Sequence, residues 1–442
     1  MPGKSVQSVR GVRDLLPEDA ALWRSAEGIV IGTLEEHGYR ELRVPLLEHA
    51  ELYLRSVGED TDIVQKEMYT TRGSKGRTIS LRPEATAGIV RAALEHGLHR
   101  GRHRVWCAGP MFRRERPQRG RLRQFHQFDV EAIGFAGSDI DAELIALAAR
   151  IFARLGVDGI TLELNSLGGP SCRAAYRDRL REYFGDHMQS LDADSRARLD
   201  SNPLRILDSR NPDMADLIGG APEVSEFLEP ESADHFAELQ ALLIAIGLDF
   251  RVNSRLVRGL DYYSRTVFEF LTDRLGAQNA VCAGGRYDGL VEQLGGPPTP
   301  AIGWAMGVER VLELARLPDS AEAEGVYLVL LGGGAVRKAG LKLAEKLRNE
   351  CPGLPVQMHC GGGKVKAQMR QASRSGARYA LVVGERELGA RYCRVSPHLV
   401  AGYPAAASFL LPIWMIGREH SPQDFHWYAL RNIAQRDEGR AH

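Results

Sequence analysis

The sequence predicts an α+β domain that is interrupted by a helical insertion and followed by a small α/β domain. Three observations predict it. Strand-type alternation flanked by helical spacing fills residues 1–168 and returns over 248–322. Between them, over 169–247, strand signals vanish. Arginines, acids and small residues dominate there, and Asn202-Pro203, Asn211-Pro212 and Gly219-Gly220 punctuate the run. Over 325–442 strand and helix patterns alternate as far as Gly389, as expected of a partly parallel sheet.

Length and composition set the outer bounds. The chain has 442 residues, 44% hydrophobic and 26% charged, which suits two or three globular domains with a large core. Basic and acidic residues number 57 each, so any attraction to a polyanion must come from local clustering. The first twenty residues, MPGKSVQSVRGVRDLLPEDA, contain no apolar stretch of the secretory kind. The longest apolar run, near Ala405–Ile416, is broken by Pro412 and is too short to span a bilayer. The six cysteines form no CxxC pair and no metal-ligand spacing, so free thiols in a reducing cytoplasm are expected.

Taken in order, Ala20–Gly38 has helical spacing (Leu22, Ile29, Leu34) and a glycine suited to cap it. Tyr39–Leu47 reads as a strand carrying Pro45, hence an edge strand, and either a dimer surface or a strand within a monomer. Lys66–Leu81 alternates like strands around a polar turn at Arg72–Arg77. In LRPEATAG (81–88) Pro83 can start a helix. Glu84 there serves the helix dipole or, with Thr86, binds an amino group. Residues 139–155 are helical, and Gly159–Leu167 is a strand.

After the insertion, RLVRGLDYYSRTVFEF (255–270) bends at Arg258–Asp261 and then alternates. CAGGRYDGLVEQLGG (282–296) is rich in glycines, which let backbone approach a ligand closely. GWAMGVERVLEL (303–314) reads as strand end, turn and helix, with Glu309-Arg310 in its opening turns. In the last domain VYLVLL (326–331), Pro355–His359 and Ala377–Val383 read as strands, and Lys338–Asn349 and Lys364–Ser375 as helices. Its glycine runs fit neither GxxxxGK[ST] nor GxGxxG. Residues 391–442, with four prolines and no lysine, are atypical and take no fold assignment.

The strongest signal is the stretch 105–131. Nine arginines lie between Arg100 and Arg123, with Glu115 the only acid among them. Pro117–Gly120 reads as a turn between two strands. With Arg123–Glu131 extended, Arg123, Phe125, Gln127, Asp129 and Glu131 share one face, while Arg113 and Glu115 share a face of the preceding strand. Such a hairpin is either a solvated basic loop or a ligand platform. Cations hold phosphates, an aromatic plane stacks on a base, and a carboxylate with an amide grips an ammonium.

These stretches resemble the histidyl-tRNA synthetases, a family of class II aminoacyl-tRNA synthetases, over roughly residues 5–389. The helix, Gly38 and the Pro45 strand look like motif 1, which implies a homodimer. MFRRERPQRGRLRQFHQFDVE looks like motif 2, and GWAMGVERV like motif 3. RGLDYYSRTVFE and AGGRYDGLVEQLGG resemble the two stretches peculiar to the histidine enzymes, and LRPEATAG matches the family's strand-to-helix turn with Ala85 where glycine is common. The resemblance implies an antiparallel six-stranded sheet flanked by helices, and an anticodon-binding domain over 325–442.

It also implies a reaction and its residues. Histidine is activated with ATP to histidyl-adenylate, with Mg2+ on the outer phosphates, and is then transferred to the 3′ end of tRNA(His). By resemblance Arg113 and Arg258 flank the α-phosphate. Glu115, Arg121, Phe125 and Arg310 complete the ATP set, with Phe125 and Arg310 on the two faces of adenine. Glu84, Thr86 and Gln127 hold the α-ammonium, and Glu131 and Tyr263, with Tyr262 nearby, read the imidazole. The tyrosines are otherwise core aromatics. Arg116, Arg119, Arg121 and Arg123 have the tRNA acceptor end as a second candidate partner, and Lys364, Lys366 and Arg370 face the anticodon. The alternative is a non-catalytic, synthetase-like regulatory subunit of ATP phosphoribosyltransferase. The retained Arg113, Glu131, Arg258, Tyr263 and Arg310 favour the enzyme.

Overall fold

A computed structural model describes residues 6–58, 61–73, 76–118, 120–209, 211–276, 279–317 and 325–390, and the backbone of 392–397 and 409–412. Two compact units result, Met1–Leu317 and Pro318–His442.

Among the described residues the first unit carries eleven strands. They are β1 (Arg40–Glu41), β2 (Leu47–His49), β3 (Thr70–Arg72), β4 (Thr78–Leu81), β5 (His103–Phe112), β6 (Gln124–Ile133), β7 (Thr161–Ser166), β8 (Arg251–Val252), β9 (Ser264–Leu271), β10 (Ala280–Arg286) and β11 (Ala301–Gly307). The main sheet has the order β1-β5-β6-β11-β10-β9-β7-β8. Its six central strands are antiparallel throughout, as the resemblance implies. The two-residue strands β1 and β8 add parallel edges.

Helix α1 (Pro17–Glu36) begins three residues before its expected start, because Pro17 suits the first helical position and Glu18 and Asp19 follow in the first turn. Gly38 closes it at φ 74°, and the Tyr39 N–H donates back to the Leu34 carbonyl at 3.0 Å. The expected strand over Tyr39–Leu47 is two pieces. β1 joins the main sheet, whereas β2 pairs with β4 in a separate sheet of order β2-β4-β3. Pro45 lies in the crossing between them, where its missing N–H breaks no ladder.

Alternation along β6 sorts its residues between two cores. Phe128, Val130 and Ala132 pack with Trp23, Val30 and Leu34 of α1 and with Leu144, Leu147 and Ile151 of a second long helix, Ser138–Arg154. The other face, with Phe125, turns toward the helix Thr86–Glu95, the tyrosines 262, 263 and 287, and residues of the helical stretch such as Tyr176 and Phe184. That stretch contains four α-helices and no strand among the described residues. It shares its apolar cluster with the catalytic-type sheet.

In the second unit β12 (Val326–Leu331), β13 (Val356–Met358), β14 (Tyr379–Gly384), β15 (Tyr392–Pro397) and β16 (Phe409–Pro412) form one sheet, ordered β13-β12-β14-β15-β16. β12, β13 and β14 are parallel, with the crossover helices Gly334–Glu350 and Val365–Arg374. Buried Gln368 clamps β12: its Oε1 accepts from the Leu330 N–H at 2.9 Å and its Nε2 donates to the Leu330 carbonyl at 2.8 Å. The segment after Gly389, left without a fold by the sequence, contributes β15 and β16 as antiparallel additions. Residues 398–408 and 413–442 lie outside the described residues.

Candidate active site

A cavity of about 250 Å3 opens on the face of β6 that bears Phe125, Gln127 and Asp129. Glu84 and Thr86 line it from the start of the helix Thr86–Glu95. The helix begins at Thr86, not Pro83, and Glu84 caps it: its two oxygens accept from the Ala87 N–H at 3.1 and 3.3 Å. Burial pushes the Glu84 carboxyl up, against the pull of Ala87 and Arg113.

The hairpin loop supplies the cations. β5 ends at Phe112, so Arg113 and Glu115 belong to the loop rather than to a strand face. Arg113 Nε donates to the Pro83 carbonyl at 2.9 Å, and its guanidinium lies 5.2 Å from the Phe125 ring centre. Burial weakens its basicity, Glu67 and Glu84 restore part of it, and an arginine there remains cationic. Arg121 is ion-paired with Glu115 and stands 3.9 Å from Glu67. Arg310, at the start of the helix Val308–Leu314, donates from Nε to the Gly120 carbonyl at 2.8 Å and from Nη1 to the Ala280 carbonyl at 2.7 Å. It ties the loop tip to β10. No turn separates β11 from this helix, contrary to the sequence reading. Arg123 is a correction: it precedes β6, and its Nε donates to the Glu115 carbonyl at 3.1 Å, away from the cavity.

The opposite wall is the segment 258–263. Tyr262 and Tyr263 are 6% exposed, with ring centres 4.7 Å apart. Arg258 lies 5.5 Å from the Tyr263 ring centre and is ion-paired with Glu269. Burial alone would lower its basicity; Glu269 outweighs that and keeps it firmly cationic. Gly285 allows Tyr263 to sit here, since a side chain at 285 would meet its ring at 2.9 Å.

Glu131 is 1% exposed and bonded to two residues of the cavity lining, Thr86 and Tyr287. Thr86 Oγ1 donates to its Oε1 at 2.7 Å, and the Tyr287 hydroxyl donates to its Oε2 at 2.5 Å. Burial holds its pKa up to about 8 in spite of both donors. Gly303 makes the room, because a Cβ there would collide with the Glu131 carboxylate. Tyr287 itself lines the cavity. It belongs to the stretch AGGRYDGLVEQLGG, and no spacing in that stretch singles out its side chain.

One cavity thus gathers Arg113, Glu115, Arg121, Phe125, Arg258 and Arg310 together with Glu84, Thr86, Gln127, Tyr262 and Tyr263. Guanidinium groups for phosphates and an aromatic face for a base meet a pocket of carboxylate, amide and phenol groups for a small zwitterion. Glu309, noted only as the neighbour of Arg310, accepts from the His126 N–H at 3.0 Å and fixes the helix to β6.

Comparison with known proteins agrees with this geometry. The family model described as Histidyl-tRNA synthetase matches residues 11–311, and the model described as Anticodon binding domain matches 326–396. A histidine–tRNA ligase of Halorhodospira halophila (strain DSM 244 / SL1) is 52% identical over 394 residues, covering 88% of this chain and 92% of that protein. The crystal structure of apo S. aureus histidyl-tRNA synthetase superposes with a TM-score of 0.77 at 32% identity, over 94% of this chain and 100% of that one. An ATP phosphoribosyltransferase regulatory subunit/histidyl-tRNA synthetase from Bacillus halodurans C shares the fold, with a TM-score of 0.63 at 23% identity over 86% of this chain and 99% of that one. With its sheet, its arginine-bearing hairpin and its tyrosine wall in place, the chain belongs to the histidyl-tRNA synthetase family.

Proposed function

We propose that this chain is an ATP-dependent ligase that joins L-histidine to the 3′ end of tRNA(His) in two steps. The observation that carries the reading is the single cavity shared by the arginine-rich hairpin and the carboxylate–tyrosine set. In the first step the histidine carboxylate attacks the α-phosphorus of ATP in line, the P–O bond to pyrophosphate breaks, and histidyl-adenylate forms. Such a transfer needs positioning and charge cancellation more than a base. Arg113 and Arg258 flank the α-phosphate, Arg121 and Arg310 hold the outer phosphates, and Phe125 and Arg310 enclose the adenine. Glu115 keeps Arg121 aimed at the ATP end. In the second step a ribose hydroxyl of the terminal tRNA adenosine takes the histidyl group and AMP leaves.

Histidine is selected by Glu84, Thr86 and Gln127 at its ammonium, and by Tyr263 and Tyr262 at its ring. Glu131, oriented by Thr86 and Tyr287, reads the ring N–H together with Tyr263. A pocket built from such groups rejects aromatic isosteres that leave them unpaired. Mg2+ supplies charge neutralisation on the β- and γ-phosphates when bound. The oxygen donors near that end are Glu115 and Glu67, and among the described residues no group of three or more His, Cys, Asp or Glu is arranged to hold a metal.

The working domains are 1–168 with 248–322 for catalysis, 169–247 as the helical insertion, and 325–442 for the anticodon. A homodimer forms through the motif 1 segment, where Leu22, Leu46 and Leu47 are exposed in the single chain. The setting is the cytoplasm, consistent with reduced cysteines at 107, 172, 282, 351 and 360. No helix of the described residues is long and apolar enough to cross a membrane. The test is aminoacylation of tRNA(His) with labelled histidine. Charging that requires ATP and histidine supports the reading, and its absence in folded protein contradicts it.

A further inference from the structure

Asp129 is 1% exposed, yet both of its carboxylate oxygens are buried without a hydrogen-bond partner. It lies on the face of β6 that also carries Gln127, and it lines the cavity. Neighbouring strands do not explain it: Cys107 and Ala305 stand opposite it in the ladder and neither bonds its side chain. A buried carboxylate left unpartnered is costly, and native proteins keep few of them. Glu84 and Glu131 lie close enough to repel it, and Arg82 and Arg113 close enough to attract it. Arg82 is spent elsewhere, donating to the carbonyls of Pro110 and Val44 at 3.0 and 3.2 Å. Burial first, and then the two neighbouring acids, hold the Asp129 carboxyl well above the usual range.

The arrangement lacks a cation that enters from the cavity side. Asp129 shares the cavity lining with Glu84, Thr86 and Gln127, the set assigned to the ammonium, and with Arg113. Resting on the functional reading above, we propose that Asp129 is a direct ligand of the substrate's α-ammonium, facing Glu84 across it. Two carboxylates on one ammonium form charge-assisted hydrogen bonds and relieve the repulsion between the acids. The amino acid is then selected by its amine as well as by its ring. Any imidazole compound without the amine leaves two buried carboxylates uncompensated.

The test compares histidine with imidazolepropionate, which lacks only the amine, in wild type and in Asp129→Asn. Binding is measured by calorimetry, beside histidine-dependent ATP–pyrophosphate exchange. The proposal expects Asp129→Asn to weaken histidine by about tenfold or more. It expects imidazolepropionate affinity and the KM for ATP to change less than about twofold. Asn has the same shape and no charge, so thermal stability should be kept. Asp129→Ser serves as a second variant with the same expected split. Equal losses for both ligands, or unchanged histidine affinity, would overturn the proposal. Wild type without histidine-dependent exchange would instead remove the functional reading itself, and this inference with it.

Discussion

Arg173 donates from Nη1 to the main-chain carbonyl of Tyr263 at 2.6 Å, and from the same nitrogen to the Asp261 carbonyl at 3.2 Å. It stands in the first helix of the insertion, Pro170–Asp186, whereas Tyr263 faces the cavity. A side chain of the insertion therefore holds the segment proposed to read the imidazole. Arg265, two residues further on, is the sole non-glycine at positive φ (48°) among the described residues. It lies within β9 beside a register shift in the ladder with β10, and its left-handed backbone is strained.

Replacing Arg173 by Ala removes both anchors. Hydrogen bonds from a charged donor contribute about 1.5–3 kcal/mol each, with less for this half-exposed side chain. The expected result is a rise in KM for histidine of about tenfold in pyrophosphate exchange, with KM for ATP nearly constant. A variant with wild-type KM for histidine would show that the segment keeps its place unaided.

Arg258 and Glu269 form an ion pair whose side chains are 16% and 19% exposed, so Arg258→Ala does two things at once. It removes the proposed phosphate ligand, expected to slow exchange by about a hundredfold or more. It also leaves a mostly buried carboxylate unpaired, a destabilisation of about 1–3 kcal/mol. The double variant Arg258→Ala/Glu269→Gln separates them. Thermal melting should recover in the double variant while exchange stays slow. Recovery of both would reduce Arg258 to a structural role.

Glu131 makes stability depend on pH. Its folded pKa of about 8 lies above the ordinary value of 4.5, so the native state binds more protons than the unfolded state between those limits. Its contribution is most favourable below about 4.5 and is lost as pH rises toward about 8. Glu131→Gln cannot titrate. The stability of wild type relative to this variant should fall between about pH 5 and 8, by up to a few kcal/mol. Parallel pH profiles for the two proteins would contradict the assignment.

Ending the chain at Gly389 removes β15 and β16 and exposes the edge of β14. Open edges invite pairing with other chains. Truncated protein should melt earlier and aggregate in the second unit's transition, with histidine-dependent exchange nearly unchanged. Unaltered melting would mean that the two added strands contribute nothing to the sheet.

Much of this architecture is legible in the sequence where one local rule decides it. The two-residue period of β6 places Gln127, Asp129 and Glu131 opposite Phe128, Val130 and Ala132, and the structure sorts them that way between cavity face and core. The α1 cap and the buried strand Val326–Leu331 follow from equally local signals. What fails is set by distant partners. No periodicity shows that Thr86 and Tyr287, 45 and 156 residues away, donate to the oxygens of Glu131. The Tyr39–Leu47 strand splits because its two ends find different sheets, β5 for one and β4 for the other. Arg123 leaves the cavity for the Glu115 carbonyl, a contact that no periodicity encodes. β15 and β16 are six and four residues long, too short to show a pattern against Pro397, Pro404 and Pro412.

The most direct test of the central claim is ATP–pyrophosphate exchange with each of the twenty amino acids in turn, using folded full-length protein with Mg2+. The proposed function predicts exchange with histidine alone, because the tyrosines and Glu131 are assigned to its imidazole. Exchange with no amino acid would contradict it and favour a regulatory-subunit role for an intact pocket. Exchange with several would contradict the selectivity assigned to Tyr263, Tyr262 and Glu131.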